Sequence, residues 1–305
     1  NKEKTEIAAS ITKSDLKSNL VGEYPELQGV MGKHFALAQG FEEDVANAVS
    51  DHYLPTGLSS PVPKKPLSCA ISIIDKLDSL VGFFAINEKP TSSKDPFALR
   101  RAAIGLLRTI IENNLSIKLR DLINYSIRLY TDQGVTIENK NTEKELLDFF
   151  KERMRNILKE KKIKPDIIDA SISAHLGDSY LDLCKKSVIM NKHFSKDIGK
   201  DALYSYKRVS SILDQEIKKS NKEITGRPDA VLFRKDEEKF LFEKINEIRK
   251  SFTVKEDSKN YEDLLTQLAS VRPLTDQFFD NVVVNDENQD IKNNRLELLS
   301  MFCQI

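Results

Sequence analysis

An all-α protein of two helical domains is what this sequence predicts, and three observations carry the prediction. Glycine and proline are scarce, 11 and 10 among 305 residues, too few for the many tight turns of an all-β chain. Charged residues make up 31% and hydrophobic residues 40%, a mixture that suits the two faces of amphipathic helices. The length corresponds to roughly two domains at about 150 residues each. Basic and acidic side chains balance at 47 each, for zero net charge. That excludes a disordered polyelectrolyte and any function resting on bulk positive charge, so a nucleic-acid partner must be met by local patches.

Along the chain, residues 1–20 place Ile7, Ile11 and Leu16 on one helical face. Residues 21–41 read as an irregular Gly- and Pro-containing loop with a short helix in it. Residues 41–53 form a helix with Val45, Val49 and Leu54 near its buried side, ended by Pro55 and Gly57. TGLSSPVPKKP then reads as an exposed connector. Leu67 to Phe84 is a strongly apolar, buried helix interrupted by Asp75, Lys76 and Asp78. Asp95 as N-cap and Pro96 as first helical residue begin the next one, with Ile104, Leu107 and Ile111 as its core stripe. Thr142 and Glu145 form a capping box before a helix whose Leu146, Phe150, Met154 and Ile157 face inward. Pro165 starts a short helix. Helices over 178–190, 197–220, 236–250, 259–281 and 286–304 complete the series, with 221–235 as a long loop. A domain boundary is expected within 115–145, and no period of 20–50 residues suggests a solenoid.

The three cysteines, Cys69, Cys184 and Cys303, make no C-x-x-C pair and read as reduced, cytosolic thiols. The longest apolar run, Leu80 to Ile86, falls far short of the ~20 residues of a membrane span. The chain opens at Asn1 inside a helical pattern without an initiator Met, as expected for an internal piece of a longer protein.

Candidate chemistry is sparse. His34, His52, His175 and His193 are followed by Phe, Tyr, Leu and Phe, so no His-Asp pair or H-E-x-x-H exists to hold a metal. Asp15, Asp51, Asp75 and Asp78 could supply oxygens, but no metal site is expected. Gly29 and Gly32 read as a turn rather than a phosphate loop, and no G-x-S-x-G elbow occurs. No catalytic residue is assigned. Residues 151–164 (KERMRNILKEKKIK) gather seven cations, Lys151 and Arg155 among them, against two carboxylates. They are either a solvated helix end favoured by the helix dipole or a phosphate-binding patch. Arg101 and Arg108, seven apart, could hold phosphate; pairing with Asp75 and Asp78 is the plainer reading.

At KPTSSKDPFALRRAAIGLLRTIIENNL (89–115) the sequence resembles the β subunit of bacterial heterotetrameric glycyl-tRNA synthetase. The likeness continues in order through KSDL (13–16), VGEYPELQGVMGKHFA (21–36), DVANAVSDHYLP (44–55), IDKLDSLVGFFAI (74–86), LLDFFKERMRNIL (146–158), YSYKRVSSIL (204–213) and the stretch 268–299. The resemblance implies an HD-like helical domain over 1–115, degenerate because the His-Asp pair is missing, with Asp75 at the position of the motif's last aspartate. A helical linker region over 116–196 and an anticodon-binding helical bundle over 197–305, similar to that of arginyl-tRNA synthetases, complete the division.

The resemblance also implies a function. Such an enzyme joins glycine to its tRNA using ATP and Mg, activates glycine on the separate α subunit, and binds tRNA through the β subunit. Glycine tRNA and the α subunit, in a tetramer of two subunits of each kind, are then the partners, in the cytoplasm and with no membrane involved. This chain itself would need no cofactor. Lys207, Arg208, Arg272 and Arg295 in the bundle, with Lys151 and Arg155, are the expected tRNA contacts; each bundle cation could instead be an ion pair within the bundle. Cations give sequence-independent phosphate affinity, and Arg also stacks on unpaired bases. Phe278 and Phe279 are expected in the core. A metal-dependent phosphohydrolase and a helical assembly scaffold are the alternatives.

Overall fold

A computed structural model describes residues 2–57, 59–91, 93–174, 179–252 and 258–304. The all-α prediction holds: among these residues there is no strand, and no helix is long and apolar enough to cross a membrane. The helices are α1 (Lys2–Ile11), α2 (Asn19–Glu23), α3 (Val30–Ala38), α4 (Glu43–Asp51), α5 (Pro66–Ala85), α6 (Leu99–Glu112), α7 (Leu119–Asp132) and α8 (Thr142–Glu160). They continue with α9 (Pro165–Ala174), α10 (Tyr180–His193), α11 (Asp197–Ser220), α12 (Asp236–Phe252), α13 (Ser258–Ala269), α14 (Arg272–Asn281) and α15 (Gln289–Cys303). The chain divides into two compact units, Asn1–Cys184 and Lys185–Ile305. The stretch 115–145, where a boundary was expected, lies inside the first unit, because its helix α7 packs on α5 and α8.

In the first unit α5 is the central helix, packed against α1, α4, α6, α7 and α8. Its apolar residues are too numerous for one stripe; Cys69, Ile71, Ile73, Leu77, Leu80, Val81 and Phe84 are all buried, as a helix surrounded by others requires. Of the stripe expected on α6, Leu107 is fully buried while Ile104 is only partly so; Leu99, Ala103, Leu106 and Ile110 complete the inward face. Fully burying one such Leu or Ile contributes about 1.5–3 kcal/mol. Leu16, expected on the buried face of the first helix, is 46% exposed, because α1 stops at Ile11 and Leu16 sits in a separate 3-10 turn.

Two local expectations are corrected. Helix α6 begins at Leu99, not Pro96: Ala98 has φ 53, and a right-handed helix cannot run through a left-handed residue. Asp95 still caps it from a turn away, its carboxylate accepting from the amides of Leu99 (2.8 Å) and Arg100 (3.0 Å). The capping box of α8 does not form. Thr142 donates instead to the Asn139 carbonyl (2.6 Å), and Glu145 accepts from Lys89 and from Asn139 Nδ2 (both 2.7 Å). Asn139 is the reason, since its side-chain and main-chain N–H groups reach the last carbonyls of α5, those of Phe84 and Ala85 (3.2 and 2.9 Å). The connector before α5 is mostly exposed, as expected, but it is anchored at its middle. Val62 and Pro63 are buried, and Arg108 donates to the carbonyls of Gly57 (3.1 Å) and Ser60 (3.0 Å).

In the second unit the core is formed by Val209, Leu241, Ile245, Ile248, Phe278, Leu298 and Leu299, among others. The single helix expected over 259–281 is two, α13 and α14, parted at Ser270 and Val271. Pro273 supplies no N–H to continue α13, but it is tolerated in the first turn of α14. Residues 221–235 form the expected loop apart from one 3-10 turn, Ala230–Leu232.

Candidate nucleic-acid interface

Helix α11 turns Ser205, Val209 and Leu213 inward at a spacing of four. Thr275 of α14 lies 1% exposed and donates to the Ser205 hydroxyl at 3.0 Å, which fixes the register between α14 and α11. That contact places two arginines at its solvent edge. Arg208 pairs with Asp276 (3.2 Å), and its guanidinium carbon stands 4.4 Å from the centre of the Phe279 ring. Arg272 pairs with Asp201 and with Asp276 (3.5 Å), and its guanidinium stands 5.0 Å from the centre of the Tyr204 ring. The hydrogen bond to Asp201 raises the Arg272 pKa further above its ordinary value. Asp276 therefore bridges both arginines, and each cation lies over an aromatic ring in the geometry that ring quadrupoles favour.

Lys207 is exposed on the same helix and makes no ion pair among the described residues. The structure thus brings Arg208 and Arg272 together through Asp276, with Lys207 the residue next to Arg208 on α11. Tyr204, 51% exposed, joins them and was not singled out in the sequence. Its signal was a large aromatic on the polar face of an amphipathic helix, four residues before an arginine. Phe278 is core as expected, while Phe279 is only partly buried beneath Arg208.

Arg295 is corrected. Expected at the RNA surface, it is 4% exposed. Its Nε donates to Glu238 (2.9 Å), and its Nη1 donates to Asp286 (2.7 Å) and to the Val283 carbonyl (2.8 Å). Glu238, itself fully buried, also accepts from the amides of Arg234 and Lys235 at 2.8 Å each, so Arg295 ties α15 to the start of α12. Lys151 and Arg155 lie on α8 of the first unit. Lys151 stands 3.9 Å from Asp148, while Arg155 pairs with Asp169 and stands 3.8 Å from Glu152.

The would-be metal residues are otherwise engaged. Asp75 pairs with Lys13. Lys76, 7% exposed, donates to the carbonyls of His52 and Leu54 (both 2.8 Å) and to the Ser72 hydroxyl (2.9 Å). Burial pushes its pKa down to about 8. The Nδ1 of His52 contacts the Val49 carbonyl (2.6 Å), and burial lowers the imidazole pKa. Asp15, 2% exposed, accepts from the amides of Gly29 (2.6 Å) and Gly32 (3.2 Å). The amides of the QGVMGK loop are thus filled by the chain's own carboxylate. Among the described residues no three His, Cys, Asp or Glu side chains form a metal-holding group; His175 lies outside the described residues. Arg108 pairs with Glu112 (2.8 Å), not with Asp75 or Asp78, and Arg101 is exposed with no ion pair among the described residues.

Comparison with known proteins agrees with this geometry. The family model described as glycyl-tRNA synthetase beta subunit matches residues 1–173, and that described as DALR anticodon binding domain matches 202–305. Similar proteins include the glycine–tRNA ligase beta subunit of Rickettsia africae, 41% identical over 298 residues, 98% of this chain and 42% of the relative. That of Rickettsia canadensis is 41% identical over 302 residues, 98% of this chain and 43% of the relative. That of Dinoroseobacter shibae is 37% identical over 317 residues, 96% and 44% of the two chains. The chain therefore spans less than half the length of these relatives. Since one family model covers more than half of its residues and the other coincides with the bundle that presents Arg208 and Arg272, the chain belongs to the glycyl-tRNA synthetase beta subunit family.

Proposed function

We propose that this chain is the tRNA-binding part of the β subunit of a glycine–tRNA ligase, holding glycine tRNA while the α subunit carries out ATP- and Mg-dependent aminoacylation. The observation that carries the reading is the pair Arg208 and Arg272 with Tyr204 at the edge of α11 and α14, next in sequence to the exposed Lys207, within the residues that match an anticodon-binding domain. Phosphates meet Lys207, and the ring-backed guanidiniums and Tyr204 offer flat faces to unpaired bases. Lys151 and Arg155 would add phosphate contacts from the first unit. Assembly into a tetramer of two α and two β subunits in the cytoplasm belongs to the same reading. In this reading the chain needs to supply neither metal nor catalytic group; Asp75 and Asp15 answer to Lys13 and to backbone amides, which disfavours the phosphohydrolase alternative.

A mobility shift with glycine tRNA, with and without the α subunit, tests this. Lys207→Glu should weaken binding by about 1 kcal/mol or more and lower the salt slope by about one unit. Unchanged affinity for Lys207→Glu, Arg208→Glu and Arg272→Glu alike would remove the bundle from the RNA-binding surface. Glycine-dependent ATP–pyrophosphate exchange by this chain alone would show the division of labour to be wrong.

A further inference from the structure

We infer that the turn leading into α6, together with the adjoining part of α8, is a second RNA contact, in which Phe97 receives a base and Arg101, beside Arg100 and Arg153, holds phosphate. This rests on the tRNA-binding reading but concerns the first unit, not the bundle. Phe97 stacks on Phe83 with ring centres 3.9 Å apart and planes 18° from parallel, yet remains 46% exposed. One face of its ring is backed by Phe83, and close to half of the residue's surface is open to solvent. Arg153 lies with its guanidinium carbon 4.4 Å from the Phe149 ring centre, and its buried Nε has no hydrogen-bond partner. Burial lowers its pKa, and the neighbouring positive charge of Arg100 lowers it further, against the opposing charges of Glu152 and Asp95.

The local anions do not balance these cations. Asp95 already accepts two helix amides and stands 4.0 Å from Arg100, while Glu145 is taken by Lys89 and Glu152 faces Arg155. Lys94 and Arg101 are exposed and make no ion pair among the described residues. Asp95 and Glu152, both already engaged, are the carboxylates that act on Arg153, while Lys94 and Arg101 are left without a carboxylate partner, in a chain whose net charge is zero. Concentrated positive charge beside an exposed stacked ring is complementary to a polyanion carrying flat bases. An acidic protein surface would match the cations but has no use for the flat ring.

The test compares the whole glycine tRNA with its isolated anticodon stem-loop as probes of the 305-residue chain. Phe97→Leu and Arg101→Glu should each weaken the whole tRNA by about fivefold or more and leave the stem-loop unaffected, whereas Lys207→Glu should weaken both. Ultraviolet crosslinking of the whole tRNA should place an adduct in residues 94–101, a readout independent of any substitution. Normal affinity of both unit-one variants for whole tRNA, with Lys207→Glu impaired, would overturn the inference and leave the bundle reading intact. Impairment by Phe97→Leu and Arg101→Glu but not by Lys207→Glu would do the reverse. Loss of α-subunit binding with tRNA affinity retained would overturn it in favour of a protein-docking surface.

Discussion

At Lys76 a buried positive charge is held by three neutral oxygens and makes no ion pair among the described residues, with only the nearby charge of Asp75 favouring it. Its folded pKa of about 8 lies below the ordinary 10.5, so between those values the unfolded chain binds more protons than the folded one. Stability should therefore gain a rising contribution as pH climbs through that window, and Lys76→Met should abolish it; urea unfolding at several pH values measures both. The substitution also strands the His52 carbonyl, whereas that of Leu54 keeps the Ser72 hydroxyl as donor (2.7 Å), and should cost about 1–3 kcal/mol for the acceptor left dry. Arg295 is the bundle's counterpart. Arg295→Met leaves Glu238 buried and unpaired, and should lower unfolding stability by about 3–5 kcal/mol. Adding Glu238→Gln should restore part of the loss, and tRNA affinity measured well below the melting temperature should stay unchanged.

Among the elements, α6 shows that a cap can act beyond the residue next to the helix. Asp95 serves the amides of Leu99 and Arg100 across the turn at Pro96 and Phe97, so Asp95→Ala should lower stability by about 0.5–2 kcal/mol, read as a drop in melting temperature. Asp95→Asn, which retains an acceptor, should lose less. The pairing of α11 with α14 depends on Thr275 and Ser205, both buried and hydrogen-bonded to each other. Thr275→Val keeps the shape but leaves the Ser205 hydroxyl without that donor. It should loosen the seat of Arg272 and Arg208 and weaken tRNA binding without removing any charge.

The molecule as a whole is two units with separate cores. Leu107→Ala, removing a fully buried side chain of the first unit, should cost about 2–5 kcal/mol there. Phe278→Leu should destabilise the second unit instead. Hydrogen exchange read by peptide should report each loss in its own unit, and a uniform loss of protection across both would contradict separate cores. Zero net charge sets the other whole-molecule constraint: positive potential must be local.

What the sequence determined by itself was the helical class, most helix positions, and the stretches holding Lys207, Arg208 and Arg272, because helical periodicity and short motifs are local properties of a chain. It could not place Arg295, whose role depends on Glu238, 57 residues away along the chain; an arginine in a polar stretch reads the same whether it faces solvent or a buried carboxylate. The capping box of α8 failed for the same reason. Thr142 and Glu145 have the right spacing, yet Asn139 draws both into an anchor for the end of α5. Tyr204 was passed over because its significance comes from Arg272, brought over its ring by the packing of α14 on α11. Spacing along the chain fixes what a residue can do within its own helix, and only tertiary packing chooses which distant charge or ring it meets.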